Sequence, residues 1–306
     1  MKDWTNWQWS TSWACGVEMS LYVGVDLGTQ SLKVLVYDAD KRAIISRANH
    51  PCAAPLTPRS GAAEQAPADW WQAFELAMHA ALENNEVDPG RIRAIGVSGQ
   101  QHGMVVLDEA GQVIRPAKLW CDVEAVDEAG ILSSQAQRHI PAGFTAPKLL
   151  WLKNNEPENF RRMQRLCLPH DWLNWRLTGN WVTDHGDASG NGLYDYNSQA
   201  IDEQLAGFLD ADLAKKLPPI EDCQAWHGRL QAEIARTFGL SENVKVSIGS
   251  GDNMMSAIGA GAIQPGQVVA SLGTSGTLFG VSAKPVTLPD SDLAPFRDAT
   301  GNHLPL

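Results

Sequence analysis

Two short loops carry the residue types that hold phosphate. One is Asp26-Leu27-Gly28-Thr29-Gln30-Ser31, the other Ser271-Leu272-Gly273-Thr274-Ser275-Gly276, and no further internal repetition stands out. Each Gly-Thr step lies between two strand-like runs, 21–25 and 32–37 for the first, 267–272 and 277–281 for the second. Glycine lets backbone approach a ligand closely, so loop amides and hydroxyls can reach phosphate oxygens from two sides. The formal net charge of −11 gives no general attraction for nucleic acid or anionic membranes. A phosphate must therefore be held locally, by backbone N–H groups, a metal ion or a few cations.

Other reactive side chains show less pattern. His139, His170, His185 and His227 lack metal-ligand spacing and read as structural or surface residues. Asp184, Asp187 and Ser189 cluster as a calcium-like loop would. The five cysteines, Cys15, Cys52, Cys121, Cys167 and Cys223, are odd in number, widely spaced and without a CxxC pair. A disulfide framework or zinc site is not expected, and a reducing cytoplasm fits best. No run of about 18 apolar residues predicts a membrane-spanning helix.

The elements that must position these loops follow from pattern. With 306 residues, 44% hydrophobic and 19% charged, the chain has globular composition and room for about two domains. The first 20 residues hold Trp4, Trp7, Trp9 and Trp13 in a polar stretch and are expected to be a disordered extension, with Met19 near the true start. Strand signals recur at 21–25, 32–37, 43–49, 92–98, 104–107 and 244–249. A helix is expected from 67 to 82, capped by Asp69, with Trp70, Ala73, Phe74, Ala77 and Met78 on one face. Helical patterns follow at 123–140, 147–165, 169–177, 202–208, 210–216, 228–238 and 254–261. Interleaved strands and helices predict an α/β fold with a mixed sheet.

Seven stretches, in order, give the chain a resemblance to the FGGY carbohydrate kinases. They are VGVDLGTQSLKV (23–34), GVSGQQHGMVVLD (96–108), LWCD (119–122), GFTAPKLLW (143–151), LPHDWLNWRLTG (168–179), SIGSGDNMMSAIGAG (247–261) and VVASLGTSG (268–276). GQQHG followed by LWCD resembles the xylulokinase branch. The resemblance implies an actin-like ATPase fold. It also implies a sugar-binding domain over 21–262, and only the start of an ATP-binding domain over 263–306. Family members continue for roughly 180 more residues, with a glycine-rich adenosine segment that has no counterpart here.

The resemblance also implies roles for single residues. Asp252, in Gly251-Asp252-Asn253, matches the catalytic base; the alternative is an Asp capping the following helix. Asp26 matches the carboxylate that holds Mg²⁺ through water. Thr29, Gln30 and Lys33 match the first loop for ATP phosphates, although Lys33 also suits a strand surface; Thr274 and Ser275 match the second loop. Gln101 and His102 match the pair that contacts a ketopentose such as D-xylulose, with Trp120 and Asp122 flanking the sugar. Asn253 would orient Asp252 or cap the helix, and Glu124 stands where many relatives have Arg. A hairpin at 267–281 left uncovered would expose Val268, Leu272, Leu278 and Phe279 and favour self-association.

Overall fold

The computed structural model describes residues 20–272, 276–286 and 293–306. The tryptophan-rich extension at residues 1–19 lies outside the described residues, as do Thr274 and Ser275.

Strands β1 (Leu21–Leu27), β2 (Ser31–Asp38) and β3 (Ala43–Pro51) form an antiparallel meander. Along β1 the side chains alternate as a strand requires: Leu21, Val23, Val25 and Leu27 are buried, while Gly24 and Asp26 face the other side. The Ile92–Gly99 strand pairs parallel to β1, and Lys245–Ser247 pairs parallel to it in turn. The spatial order is Trp226–Arg229, Lys245–Ser247, Ile92–Gly99, β1, β2, β3, with Ser250–Gly251 also paired to Ile92–Gly99. The expected mixed α/β sheet is therefore present.

Helix α1 (Pro67–Leu82) covers one sheet face with Trp70, Ala73, Phe74, Ala77 and Met78, all buried. Trp70 meets Trp172 edge-on, with ring centroids 6.0 Å apart. The capping expectation for Asp69 is corrected: the N-cap is Ala66, without a side-chain bond, and Pro67 opens the helix, leaving Asp69 in its first turn. Proline suits that place because its missing N–H would be unpartnered anyway.

A second apolar cluster joins Met104, Leu149, Leu193 and Met254 to Phe279, Phe296 and Leu304. Residues beyond 262 thus share a core with the preceding segment. A hairpin of Pro295–Arg297 and His303–Pro305 lies in this cluster. The hairpin Val268–Leu272/Gly276–Gly280 buries Phe279 but leaves Leu272 86% and Leu278 65% exposed.

Register decides what meets at the sheet's edge. Asp26 lies opposite Lys33 on β2 and opposite Ser98 on the central parallel strand. Ser98 is paired with Ser250, and Gly99 with Gly251. Three parallel strands therefore end side by side, and the loops leaving them begin at one edge, the usual place for a ligand crevice in α/β sheets.

Candidate active site

Asp252 is the first residue of the helix Asp252–Gly259, and Gly251 is its N-cap. The capping alternative for Asp252 does not describe this geometry. Its Oδ1 accepts the Asn253 N–H at 2.8 Å. Burial, with the negative charge of Asp26 adding to it, pushes the Asp252 carboxyl up to about 6. The side chain is still mostly ionised at neutral pH and more basic than a surface aspartate. Asn253 does not cap the helix with its side chain. Its amide donates to Gln101 Oε1 at 2.8 Å instead.

The loop after the central strand brings in Gln100, Gln101 and His102. Gln101 is buried beneath Gly251, where a Cβ would sit 2.5 Å from Gln101 Cγ, so only glycine fits without displacing that side chain. His102 has a left-handed backbone, φ 60°. Lys148 and Thr145 hold its carbonyl: Lys148 Nζ donates at 2.9 Å and Thr145 Oγ1 at 3.2 Å. His102 Nδ1 lies 2.7 Å from the Gly190 carbonyl, which can only accept, so Nδ1 carries the proton. Burial, helped by the Lys148 charge, pushes His102 down to about 3, and the ring is neutral. Nε2 is then a hydrogen-bond acceptor.

Trp120 is half exposed, and its indole N–H donates to Thr29 Oγ1 at 3.0 Å. The Thr29 hydroxyl donates in turn to Gln100 Oε1 at 2.8 Å. The first Gly-Thr loop is thereby tied to the wall carrying Trp120. Gln30 is exposed, and its carbonyl accepts the Cys52 N–H. Asp26 Oδ1 accepts from Ser98 Oγ at 3.2 Å, and its Oδ2 meets Lys33 Nζ at 3.1 Å, with both partners of this ion pair well exposed. A cleft of about 770 Å³ opens beside Asp26, Lys33, Ser98, Met255 and Ser256.

Asp122 departs from its expected place on the sugar wall. It has no exposed surface; its Oδ2 accepts from Ala63 N–H and Lys118 Nζ at 2.8 and 3.0 Å. Its carboxylate is committed inside the protein, where it shapes the turn below Trp120. Glu64, Asp122 and Glu124 cluster as metal ligands would. Lys118 Nζ already occupies their centre, 3.0 Å from Asp122 and 2.6 Å from Glu124. Glu124 also pairs with Arg59, so the residue standing in place of an Arg has its own cationic partners.

The calcium-like reading of Asp184, Asp187 and Ser189 is likewise corrected. Asp184 caps the short helix His185–Ala188 and accepts Ser250 Oγ at 2.7 Å. Asp187 Oδ2 lies 2.7 Å from His170 Nδ1 in full burial. Burial alone would lower His170, but Asp171, Asp187 and Asp184 outweigh it and push the imidazole up to about 10. His170 is a buried ion-pair centre behind the segment carrying Asp252, since a Cβ on Gly249 would lie 3.3 Å from its Cδ2.

Sequence reasoning assigned no role to Lys148, although it stands inside a quoted motif. A lysine in the apolar run 143–152 was the available signal. Phe144 and Phe296, which both pack on the His102 ring, gave no comparable signal. Among the described residues no disulfide links Cys52, Cys121, Cys167 and Cys223, and no helix is long and apolar enough to cross a membrane.

Residues 21–259 match the FGGY family of carbohydrate kinases, N-terminal domain. The chain is 37% identical to the xylulose kinase of Haemophilus influenzae over 305 residues, covering 94% of this chain and 61% of that protein. It is 38% identical to the xylulose kinase of Streptomyces coelicolor over 302 residues, covering 94% and 60%. The crystal structure of a xyloylose kinase from Brucella ovis superposes with a TM-score of 0.88 at 32% identity, covering 93% of this chain and 60% of that one. The chain thus spans about 60% of the length of the curated relatives it matches.

Proposed function

Because this chain belongs to the FGGY family of carbohydrate kinases, with their actin-like ATPase fold, we propose that it carries the sugar-binding and base-bearing half of an ATP-dependent D-xylulose kinase acting in the cytoplasm. The product would be D-xylulose 5-phosphate. One observation supports the reading: the Asn253–Gln101 bond ties the helix that opens with Asp252 to the loop that presents His102.

In this mechanism the neutral His102 accepts a hydrogen bond from a sugar hydroxyl, and the exposed indole of Trp120 offers an apolar wall to the sugar's C–H groups. Asp252 takes the proton of the terminal hydroxyl as that oxygen bonds to the γ-phosphorus. The bond from the γ-phosphorus to its bridging oxygen breaks, and ADP leaves. Positioned general bases are typically worth about 10²–10⁴-fold in rate.

The residues around Asp26 suit a magnesium ion. A part-exposed carboxylate stands near a second one, Asp252, whose proton affinity it raises, and a cation would relieve that repulsion. Asp26 would hold the ion through water, and the ion would compensate phosphate charge. Thr29, Gln30, Lys33, Thr274 and Ser275 would face the phosphates of ATP. A domain boundary near 262–263 belongs to the same proposal.

Chemistry of this kind needs a closed cleft. The test is calorimetry of D-xylulose binding with and without MgATP, beside a coupled ADP-release assay. Binding of D-xylulose that His102→Ala abolishes supports the reading. No preference for D-xylulose over other ketoses and polyols would refute it.

A further inference from the structure

We propose that Phe296 is a positioning residue for the ligand site, holding the His102 imidazole in a single tautomer whose Nε2 accepts from a ligand hydroxyl. This rests on the sugar-site reading of His102 but adds a residue beyond the segment 21–259 matched to the family.

His102 is fixed in two separate ways. Its backbone, at φ 60°, is held by Lys148 and Thr145 through the carbonyl. Its ring is held by other groups. Phe144 stacks on it with centroids 4.5 Å apart and planes at 24°, and Phe296 packs at 5.6 Å and 32°. Phe144 and Phe296 touch each other at 5.9 Å. Among the described residues the Gly190 carbonyl supplies a polar contact, to Nδ1 at 2.7 Å. Space there is tight: a Cβ on Gly190 would lie 2.5 Å from His102 Cε1 and 3.2 Å from Phe296 Cε1.

Phe296 is itself 1% exposed and firmly anchored. The next residue, Arg297, donates its N–H to Ser189 Oγ at 2.9 Å, one position before Gly190. The Arg297 guanidinium donates to the Gly301 carbonyl at 2.6 Å and lies 3.0 Å from His303 Nε2, closing the hairpin. The same hairpin therefore anchors both the ring of Phe296 beside His102 and the segment whose carbonyl selects its tautomer. A neutral imidazole protonated on Nδ1 can only accept at Nε2, so the ligand must present an O–H or N–H there. Removing the Phe296 ring leaves the imidazole unsupported on the side next to the stacked Phe144, and the ring can then rotate away from Gly190.

The experiment uses the whole chain with ¹⁵N-labelled histidine, His102 being assigned through His102→Gln. The unmodified chain should show one Nδ1-protonated tautomer. Phe296→Ala should give averaged ring-nitrogen shifts and bind D-xylulose at least ten-fold more weakly, while Phe296→Leu, which keeps apolar volume, should restore most of both. Should the alanine variant fail to fold, Phe296→Leu and Phe144→Leu carry the spectral comparison, each with partial averaging expected. Unchanged His102 nitrogen shifts in folded Phe296→Ala, or in both leucine variants where the alanine variant does not fold, would overturn the proposal, whatever the sugar affinity. Averaged shifts in a chain that never binds D-xylulose would uphold the positioning role and count against the pentulose reading instead.

Discussion

The Asn253 side-chain amide donates to Gln101 Oε1 across 2.8 Å, joining positions 152 apart in the chain. One end belongs to the helix that opens with Asp252, the other to the loop that presents His102. A double-mutant cycle of Gln101→Ala and Asn253→Ala should return a coupling of about 0.5–1.5 kcal/mol in denaturant unfolding. Strict additivity of the two changes would contradict the geometry.

Asp252 should trade stability for basicity. Its carboxyl is held at about 6 in the folded chain, above its ordinary value, so the folded state binds the proton more tightly than the unfolded one. Stability from this group is therefore present at low pH and falls as pH rises toward 6. Asp252→Asn removes the buried charge, and above pH 7 the variant should be more stable than the native chain by roughly 1–3 kcal/mol. Thermal melts at pH 4.5 and 7.5 should show the difference growing with pH; a constant difference would refute this.

Lys118 should behave as the built-in cation of its cluster. It is fully buried against Asp122 and Glu124, with Glu64 3.7 Å away. Lys118→Met leaves those carboxylates without their ammonium and should destabilise the chain by roughly 3–5 kcal/mol. Added Ca²⁺ should raise the melting temperature of the variant more than that of the native chain. Equal response in both would argue that Lys118 does not fill this position.

The Val268–Leu272/Gly276–Gly280 hairpin presents Val268 at 64%, Leu272 at 86% and Leu278 at 65% exposure. Contiguous exposed apolar side chains along a short sheet favour association. Light scattering on the isolated chain should show concentration-dependent dimers or larger species, reduced by Leu272→Glu with Leu278→Lys. A native chain that stays monomeric at high concentration would oppose this.

Local patterns were legible in the sequence where a strand or helix repeats over several residues. The alternation of Leu21, Val23 and Val25 and the apolar face of α1 both appear as expected. The two parallel strands meeting at Gly99 and Gly251 were legible only as separate motifs, because register is a property of pairing and not of composition. Asp122 shows the main gap. A carboxylate in a Trp-Cys-Asp step suits sugar recognition, but the ammonium that claims it lies four positions back, and nothing in the sequence marks that lysine as buried. Lys148 was hidden for the related reason that burial of a charge depends on carbonyls supplied from elsewhere, here those of Gly143 and His102. Phe296 lies 194 positions after His102, and only folding joins them.

The alignment of Ser98 with Ser250 and of Gly99 with Gly251 carries a consequence for how such a site changes over time. The spacing between the Gln101–His102 loop and the helix that opens with Asp252 is set by this backbone pairing together with the Asn253–Gln101 bond. On the proposed reading, exchanges at Trp120, whose indole bonds Thr29 rather than the Asp252 segment, would retune which alcohol is accepted without re-aiming Asp252.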